Sequence, residues 1–345
     1  MEKATFCLFL SLLISRTKLG DTGCSLPVDW DGEFHDSSDS TQDITITRYN
    51  NYVVGWSLTV FISTVSSWTC VDEDKSNNLL LFKSNQTIDV FGAPHDAYRC
   101  IKYGMLTIHS YSYLILANIE SNAGNKRVLI MPTNTVADIR SACNQSNGLP
   151  SAVETIVFVK KGYIAKAAQS CPSPFLGCYN YSLNDGSTTY CDGTSVWDVC
   201  SDRTQMVVNY TLCSKKQFFS NGGVAYCAYS TSVGSNYYVT VVNADSTVDF
   251  TTTFRFTCYA VTSSGGYVYA SDNIGACVQN QSPYNKSVTG TGTLVLSAYT
   301  FISDVTTETS DDNVGVIVGS LAGVVVLVAA VVAVVLIYKK CQQTH

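Results

Sequence analysis

A chain of 345 residues that is 46% hydrophobic, 14% charged and net −6 is too apolar and too charge-poor to stay disordered, and its length suits two ordinary domains. Between residues 21 and 313, 16 Lys and Arg face 26 Asp and Glu, a net charge of −10. That excess repels phosphate backbones and excludes nucleic acid as a partner.

At the amino terminus Met1-Glu-Lys3 leads into an apolar run of 11 residues, 4–14. The length suits a secretory h-region and is too short for a span, so residues 1–20 are expected to be a signal peptide. A first unit, residues 21–170, follows. Its short runs of Thr, Val, Ile, Tyr and Phe are punctuated by Asn, Asp, Gly and Ser, the composition of strands and turns. Ile44-Thr-Ile-Thr-Arg-Tyr49, Trp56-Ser-Leu-Thr-Val-Phe61, Leu79-Leu-Leu-Phe82 and residues 106–119 are the clearest strands. Residues 135–143, and residues 162–171 after a strand at 155–159, read as helical. A second unit, residues 171–304, contains strands at Tyr237-Tyr-Val-Thr-Val-Val242 and Thr253-Phe-Arg-Phe-Thr-Cys-Tyr259. Several of these runs alternate with period two, as half-buried antiparallel strands require.

Residues 305–313 form a stalk without hydrophobic period. Residues 314–338 are expected to be a transmembrane helix, since 24 consecutive residues from Val314 carry no charge and would make about 36 Å of helix against about 30 Å of hydrocarbon. Asp311 and Asp312 precede it while Lys339 and Lys340 follow, which places the tail, residues 339–345, in the cytoplasm. Gly315, Gly319 and Gly323 line one face of the span and suit close packing of two copies in a homodimer. Cys341, at the membrane edge, is a candidate for lipidation.

Twelve cysteines remain in the exported part: Cys24, Cys70, Cys100 and Cys143 in the first unit, and Cys171, Cys178, Cys191, Cys200, Cys213, Cys227, Cys258 and Cys277 in the second. Both sets are even, and export places them where thiols oxidise, so each unit can close its own bridges. Pairing of Cys70 with Cys100 is expected, both lying beside aromatics in strands of one unit. Sequons begin at Asn85, Asn144, Asn180, Asn209 and Asn285 and are N-glycosylation acceptors where they reach the surface.

Cys24-Ser-Leu-Pro27 leading to Gly32-Glu-Phe34 is repeated as Cys171-Pro-Ser-Pro174 leading to Gly177-Cys-Tyr179, so the units read as tandem. An immunoglobulin sandwich needs a tryptophan between two bridged cysteines. Trp68 precedes Cys70, and Trp197 precedes Cys200. A glycine two residues before an aromatic at the start of the first strand is instead similar to the Gly-x-Trp opening of lipocalin-like barrels. The expected architecture is therefore mainly β: two tandem, disulfide-stapled antiparallel units, small and barrel-like in preference to a sandwich, plus one carboxyl-terminal transmembrane helix.

Cys171-Pro-Ser-Pro-Phe-Leu-Gly177, Leu183-Asn-Asp-Gly186, Ser195-Val-Trp-Asp-Val-Cys200, Asn209-Tyr-Thr-Leu-Cys213 and Thr253-Phe-Arg-Phe-Thr-Cys-Tyr-Ala260 resemble a cysteine-rich invertebrate, chiefly molluscan, single-pass membrane ectodomain family built from tandem domains of unknown function. Tyr98-Arg-Cys100 and Asn122-Ala-Gly-Asn-Lys-Arg-Val128 are the corresponding words of the first unit. The resemblance implies architecture and no activity.

No Gly-x-Ser-x-Gly elbow occurs, and the exported histidines are His35, His95 and His109 alone, so no catalytic set, metal site or cofactor is expected. Asp72-Glu-Asp-Lys-Ser-Asn-Asn78 has Asn77 where a calcium loop needs glycine, and reads as a solvated hairpin tip. Asp198, Asp202 and Arg203 form either a recognition patch or a turn cap. The expected protein is a type I plasma-membrane glycoprotein whose non-enzymatic ectodomain binds an extracellular protein or glycan. The alternative is a barrel holding a small apolar ligand, and a membrane-anchored hydrolase ranks third. A carrier needs a dry cavity of about 300–1,000 Å³, whereas a contact module has a filled core and an exposed aromatic patch.

Overall fold

The computed structural model describes residues 23–39, 42–144, 148–209, 222–249 and 253–299. The expected signal peptide, the stalk, the span with Gly315, Gly319 and Gly323, the tail with Cys341, and Cys213 all lie outside the described residues. Among the described residues no helix is long and apolar enough to cross a membrane.

Two closed eight-stranded antiparallel barrels account for most of the structure. The first is built from β1 (Gly32–Asp36), β2 (Ile44–Thr47), β3 (Tyr52–Val60), β4 (Ser63–Asp74), β5 (Leu79–Ser84), β6 (Ile88–Val90), β7 (Ala93–Thr107), β8 (Ser110–Ile115), the short pair β9 (Ile119–Glu120) and β10 (Lys126–Arg127), β11 (Leu129–Pro132) and β12 (Ile156–Lys160). The ring runs β1-β2-β3-β4-β5-β7-β8-β12 and back to β1. Strand β7 is long enough to pair twice on each edge, with β6 and β5 on one side and β11 and β8 on the other. The second barrel takes its strands in chain order: β13 (Cys178–Asn184), β14 (Thr189–Asp198), β15 (Gln205–Val208), β16 (Val224–Val233), β17 (Asn236–Asn243), β18 (Phe256–Ser264), β19 (Tyr267–Ile274) and β20 (Thr293–Ala298). Closure removes the sheet edges that would otherwise template aggregation.

Alternation dictates which residues fill the barrels. Trp56, Leu58 and Val60 of β3 point inward, as does Val53, and the change of phase between Val53 and Trp56 falls at a register shift beside Gly55. Gly55 has φ +106°, and a Cβ there would stand 2.5 Å from the carbonyl oxygen of Asp43, so the bulge requires glycine. Trp30 packs edge-on against Phe158 at 4.8 Å and Tyr103 at 5.3 Å, while Trp56 meets Phe82 at 5.1 Å. In the second barrel Trp197 stands 5.6 to 5.8 Å from Phe175, Tyr181 and Tyr259. Both interiors are packed by aromatic and aliphatic side chains together.

Strand β12 explains how the barrels join. Ile156 and Phe158 face the first core, while Val157 and Val159 pack with Ala228, Val242 and Phe256 of the second barrel. A strand covered on both faces reads as a continuous apolar run rather than as an alternation. The amide of Ala276 also donates to the Ser37 carbonyl at 2.8 Å, and that of Gln169 to the Cys227 carbonyl at 2.7 Å.

Disulfides join Cys24–Cys70, Cys100–Cys143, Cys171–Cys227, Cys178–Cys200 and Cys258–Cys277, and Cys191 is bridged as well. In each barrel the cysteine ahead of the first strand reaches the fourth strand of the ring, and a cysteine on the sixth strand reaches a later connection. The expected Cys70–Cys100 pairing is overturned. Strand β5 lies between β4 and β7, so the two cysteines sit two inter-strand spacings apart, about 9.5 Å, beyond bridging distance. They also face opposite sides, Cys70 toward the core and Cys100 toward an outer cluster with Ala142.

Three further expectations are corrected. Residues 106–119 are not one strand, because the Thr107 hydroxyl accepts from the His109 amide and meets Ser110 Oγ, turning the chain from β7 into β8. Residues 135–143 keep only α1 (Ile139–Ala142), opened by a capping box of Asp138 and Ser141 and ended where Cys143 is bridged. Residues 162–171 hold only a 3-10 turn, Ile164–Ala167. It lacks a side-chain cap, and Ala168 turns extended so that Gln169 can bond the second barrel.

Candidate functional site

One end of the first barrel opens into a cavity of about 220 Å³. Strand β7 supplies Arg99, β8 Ile115, β12 Ile156 and β3 Ser57. The β9–β10 hairpin supplies Asn125, Lys126 and Arg127, and the second barrel contributes Ala276 and Cys277. Ser57 and Lys126 also line an outer groove bounded by Phe61, Asn122 and Gly124, so inner cavity and outer groove share a wall.

Arg99 occupies an inward position between Ala97 and Ile101 and is only 5% exposed. Its guanidinium lies 4.6 Å over the Trp68 ring and 5.9 Å from that of Trp56. One terminal nitrogen donates to the Ser57 carbonyl at 3.5 Å, and Nε has no acceptor. Burial pulls its pKa below the usual arginine range, opposed by the fields of Tyr113, Asp36 and Asp39. Arg127 is buried and donates to Glu154 Oε2 at 3.2 Å and to the Ala117 carbonyl at 3.2 Å, while its Nε is likewise unpartnered. Lys126 stands exposed at the mouth. Surrounding protein, and then repulsion from Arg99, hold its ammonium below the ordinary lysine value.

Beneath this cavity Asp36 is fully enclosed. Its carboxylate accepts from Trp56 Nε1 at 3.0 Å, the Tyr113 hydroxyl at 3.0 Å and the Ser38 amide at 2.7 Å. Burial nonetheless raises its pKa, because desolvation outweighs those bonds, and the same enclosure pushes Tyr113 well up. Next to the groove, Phe61 and Phe91 project from the β3–β4 and β6–β7 hairpin tips and touch at 5.4 Å between centroids. Phe91 is 94% and Ile62 92% exposed. Both phenylalanines adopt left-handed backbone, φ 52° and 54°, a conformation that costs a bulky residue energy and is held by its surroundings. The Phe61 amide is fixed by the Asn122 carbonyl at 3.0 Å.

The residues singled out in the sequence are spread more widely. His35 Nδ1 meets Asp43 Oδ1 at 2.6 Å, and Asp43 also reaches Lys161 at 3.4 Å. His95 bonds the Ala93 carbonyl and His109 stacks on Tyr163, so each histidine has a different partner. Asp74 caps the turn after β4 through Ser76 and Asn77, the hairpin tip expected there. Asp198 caps the Cys200 and Ser201 amides and Asp202 the Thr204 amide. Cys178, Asp198 and Cys200 converge, but the two sulfurs are bonded to each other and offer no thiolate to a metal. Asn85, Asn144, Asn209 and Asn285 are exposed, and Asn180 is half-buried on β13.

The cationic cavity escaped the sequence reading. Arg99 and Lys126 stood in it only as parts of family words, whereas the usable signal was a charge at an inward position of a strand whose neighbours are all apolar.

A family model described as a domain of unknown function (DUF7042) matches residues 169–293. No curated protein and no solved structure matches the chain. The matched stretch spans β13 to β19 and stops at the first residue of β20, so it covers seven strands of the second barrel and leaves out the one that closes it. It agrees, over that barrel, with the expected likeness to a family of such domains.

Proposed function

We propose that the chain is a type I cell-surface glycoprotein whose paired barrels form a non-enzymatic extracellular recognition module for a protein or glycan. The observation that carries this reading is the combination of packed barrel interiors with an exposed Phe61, Ile62 and Phe91 patch on conformationally strained hairpin tips. Filled interiors disfavour a carrier of apolar ligands, and large exposed apolar residues in costly conformations mark contact surfaces. The disulfide framework supports an oxidising compartment. Four exposed sequon asparagines are compatible with a sugar coat, and the charge-free segment from Val314 supports a membrane anchor.

Cells displaying the full chain should aggregate, or bind an immobilised extracellular matrix, more than cells lacking it. The double substitution Phe61→Ser and Phe91→Ser should abolish that difference at equal surface expression. Equal binding by wild type and the double variant would remove the patch from the proposal.

A further inference from the structure

A guanidinium excluded from water normally finds a carboxylate that neutralises it and fills its in-plane donors. Arg99 does not. Among the described residues it forms no ion pair within 4.0 Å, its Nε has no acceptor, and its one side-chain bond is at the 3.5 Å limit. Its central carbon lies over the Trp68 ring and at the limit of contact with that of Trp56, contacts that fill none of its N–H donors. Asp36 lies within electrostatic reach of Arg99, and Asp39 of both Arg99 and Lys126, but the Asp36 oxygens are taken by Trp56, Tyr113 and Ser38, and Asp39 accepts from Gln42 and lies beyond ion-pair distance of either cation. Glu154 is committed to Arg127 and to the Ser151 amide. Lys126, across the same cavity, also has no carboxylate within 4.0 Å among the described residues. Two cations that repel each other therefore line one small space with donor capacity left over.

The geometry points to this cavity as a binding site for a compact organic carboxylate, held by Arg99 and Lys126 through its charged end. The remaining wall is mixed: Ser38, Ser57, Asn125 and the Arg127–Glu154 pair stand beside apolar Ile115, Ile156 and Ala276, and that apolar portion gives an organic anion a contact that phosphate or sulfate would not use. A cavity of about 150 Å³ accepts benzene, so the 220 Å³ found here suits a ligand of about ten non-hydrogen atoms. An anion placed between Arg99 and Lys126 relieves their repulsion and offers acceptors to the terminal nitrogens of the guanidinium. This site is independent of the hairpin-tip patch, and either can fail without the other.

The test is calorimetric titration of the full-length chain, disulfides intact and reconstituted in lipid nanodiscs, with acetate, hexanoate and benzoate as probes. Benzamide serves as the neutral counterpart of benzoate. At least one of the two larger carboxylates should saturate one site per chain in the millimolar range or tighter. Benzamide should bind at least about tenfold more weakly than benzoate, a difference expected when the charge-assisted contact is absent. Lys126→Met, at an exposed position, should leave the melting temperature unchanged while weakening carboxylate binding about tenfold. Arg99→Lys, which keeps the charge and removes the fork, should weaken it further. Saturation by none of the three carboxylates, equal binding of benzamide, or wild-type affinity in a folded Lys126→Met protein would each overturn the assignment.

Discussion

Replacing Arg99 by methionine separates a structural role from a binding role. The substitution removes the stacking of the guanidinium on Trp68 at 4.6 Å and its weaker contact with Trp56 at 5.9 Å, which together stabilise by about 0.5–2 kcal/mol. It also removes a buried charge that lacks an ion pair, whose residual desolvation cost is several kcal/mol. Methionine has similar length and adapts to the space between the indoles. The balance favours the variant, with an expected gain of about 1–3 kcal/mol. Urea unfolding of the disulfide-intact chain, followed by tryptophan fluorescence, reads this directly because Trp56 and Trp68 border the substituted position. A rise in midpoint without a change in slope is the expected result. A loss of more than about 1 kcal/mol would mean that the guanidinium holds the barrel together, and the argument from unmet donors would collapse.

Three other expectations concern the scaffold. Substituting both Cys100 and Cys143 by alanine opens a loop of 43 residues and should cost about 4 kcal/mol on the chain-entropy estimate; a non-reduced peptide map that joins Cys70 to Cys100 would contradict the strand order. Gly55→Ala should destabilise by at least about 2 kcal/mol, combining unfavourable backbone with a clash, read as a lower melting temperature. For Asp36 the folded carboxyl has the raised pKa, so above about pH 3.9 the folded state keeps a proton that the unfolded state has released. Its contribution to stability therefore falls as pH rises from that value through the folded pKa. Asp36→Asn should abolish that decline, and unchanged pH dependence in paired denaturation series would refute the placement of Asp36.

Much of the framework is written locally. Alternation marked Trp56, Leu58 and Val60 as one face of a strand, and the repeated Cys-x-x-Pro words lie just ahead of the first strand of each barrel. What the sequence hid depends on distance along the chain. Strand β12 closes a ring begun more than a hundred residues earlier, as the pairing of His35 with Val159 shows. The run at 155–159 is legible as a strand, but nothing local tells which distant strands it pairs with. The β7–β8 turn was missed because Thr107, Ile108 and His109 include none of the usual turn residues and rely on one hydroxyl. Disulfide partners need register as well as spacing. The same holds for Arg99, whose inward direction becomes visible only once β7 is placed in the ring.

The loop carrying Ala276 and Cys277 has a mechanical consequence. It belongs to the second barrel yet walls the cavity of the first, tied there by the bond from Ala276 to Ser37 and anchored by the bridge to Cys258. Prising the barrels apart would dismantle that wall, so tension across the junction and occupancy of the space oppose each other. By thermodynamic reciprocity, whatever fills the space acts as a rivet between the two halves, and a pull on one half loosens the grip of the other.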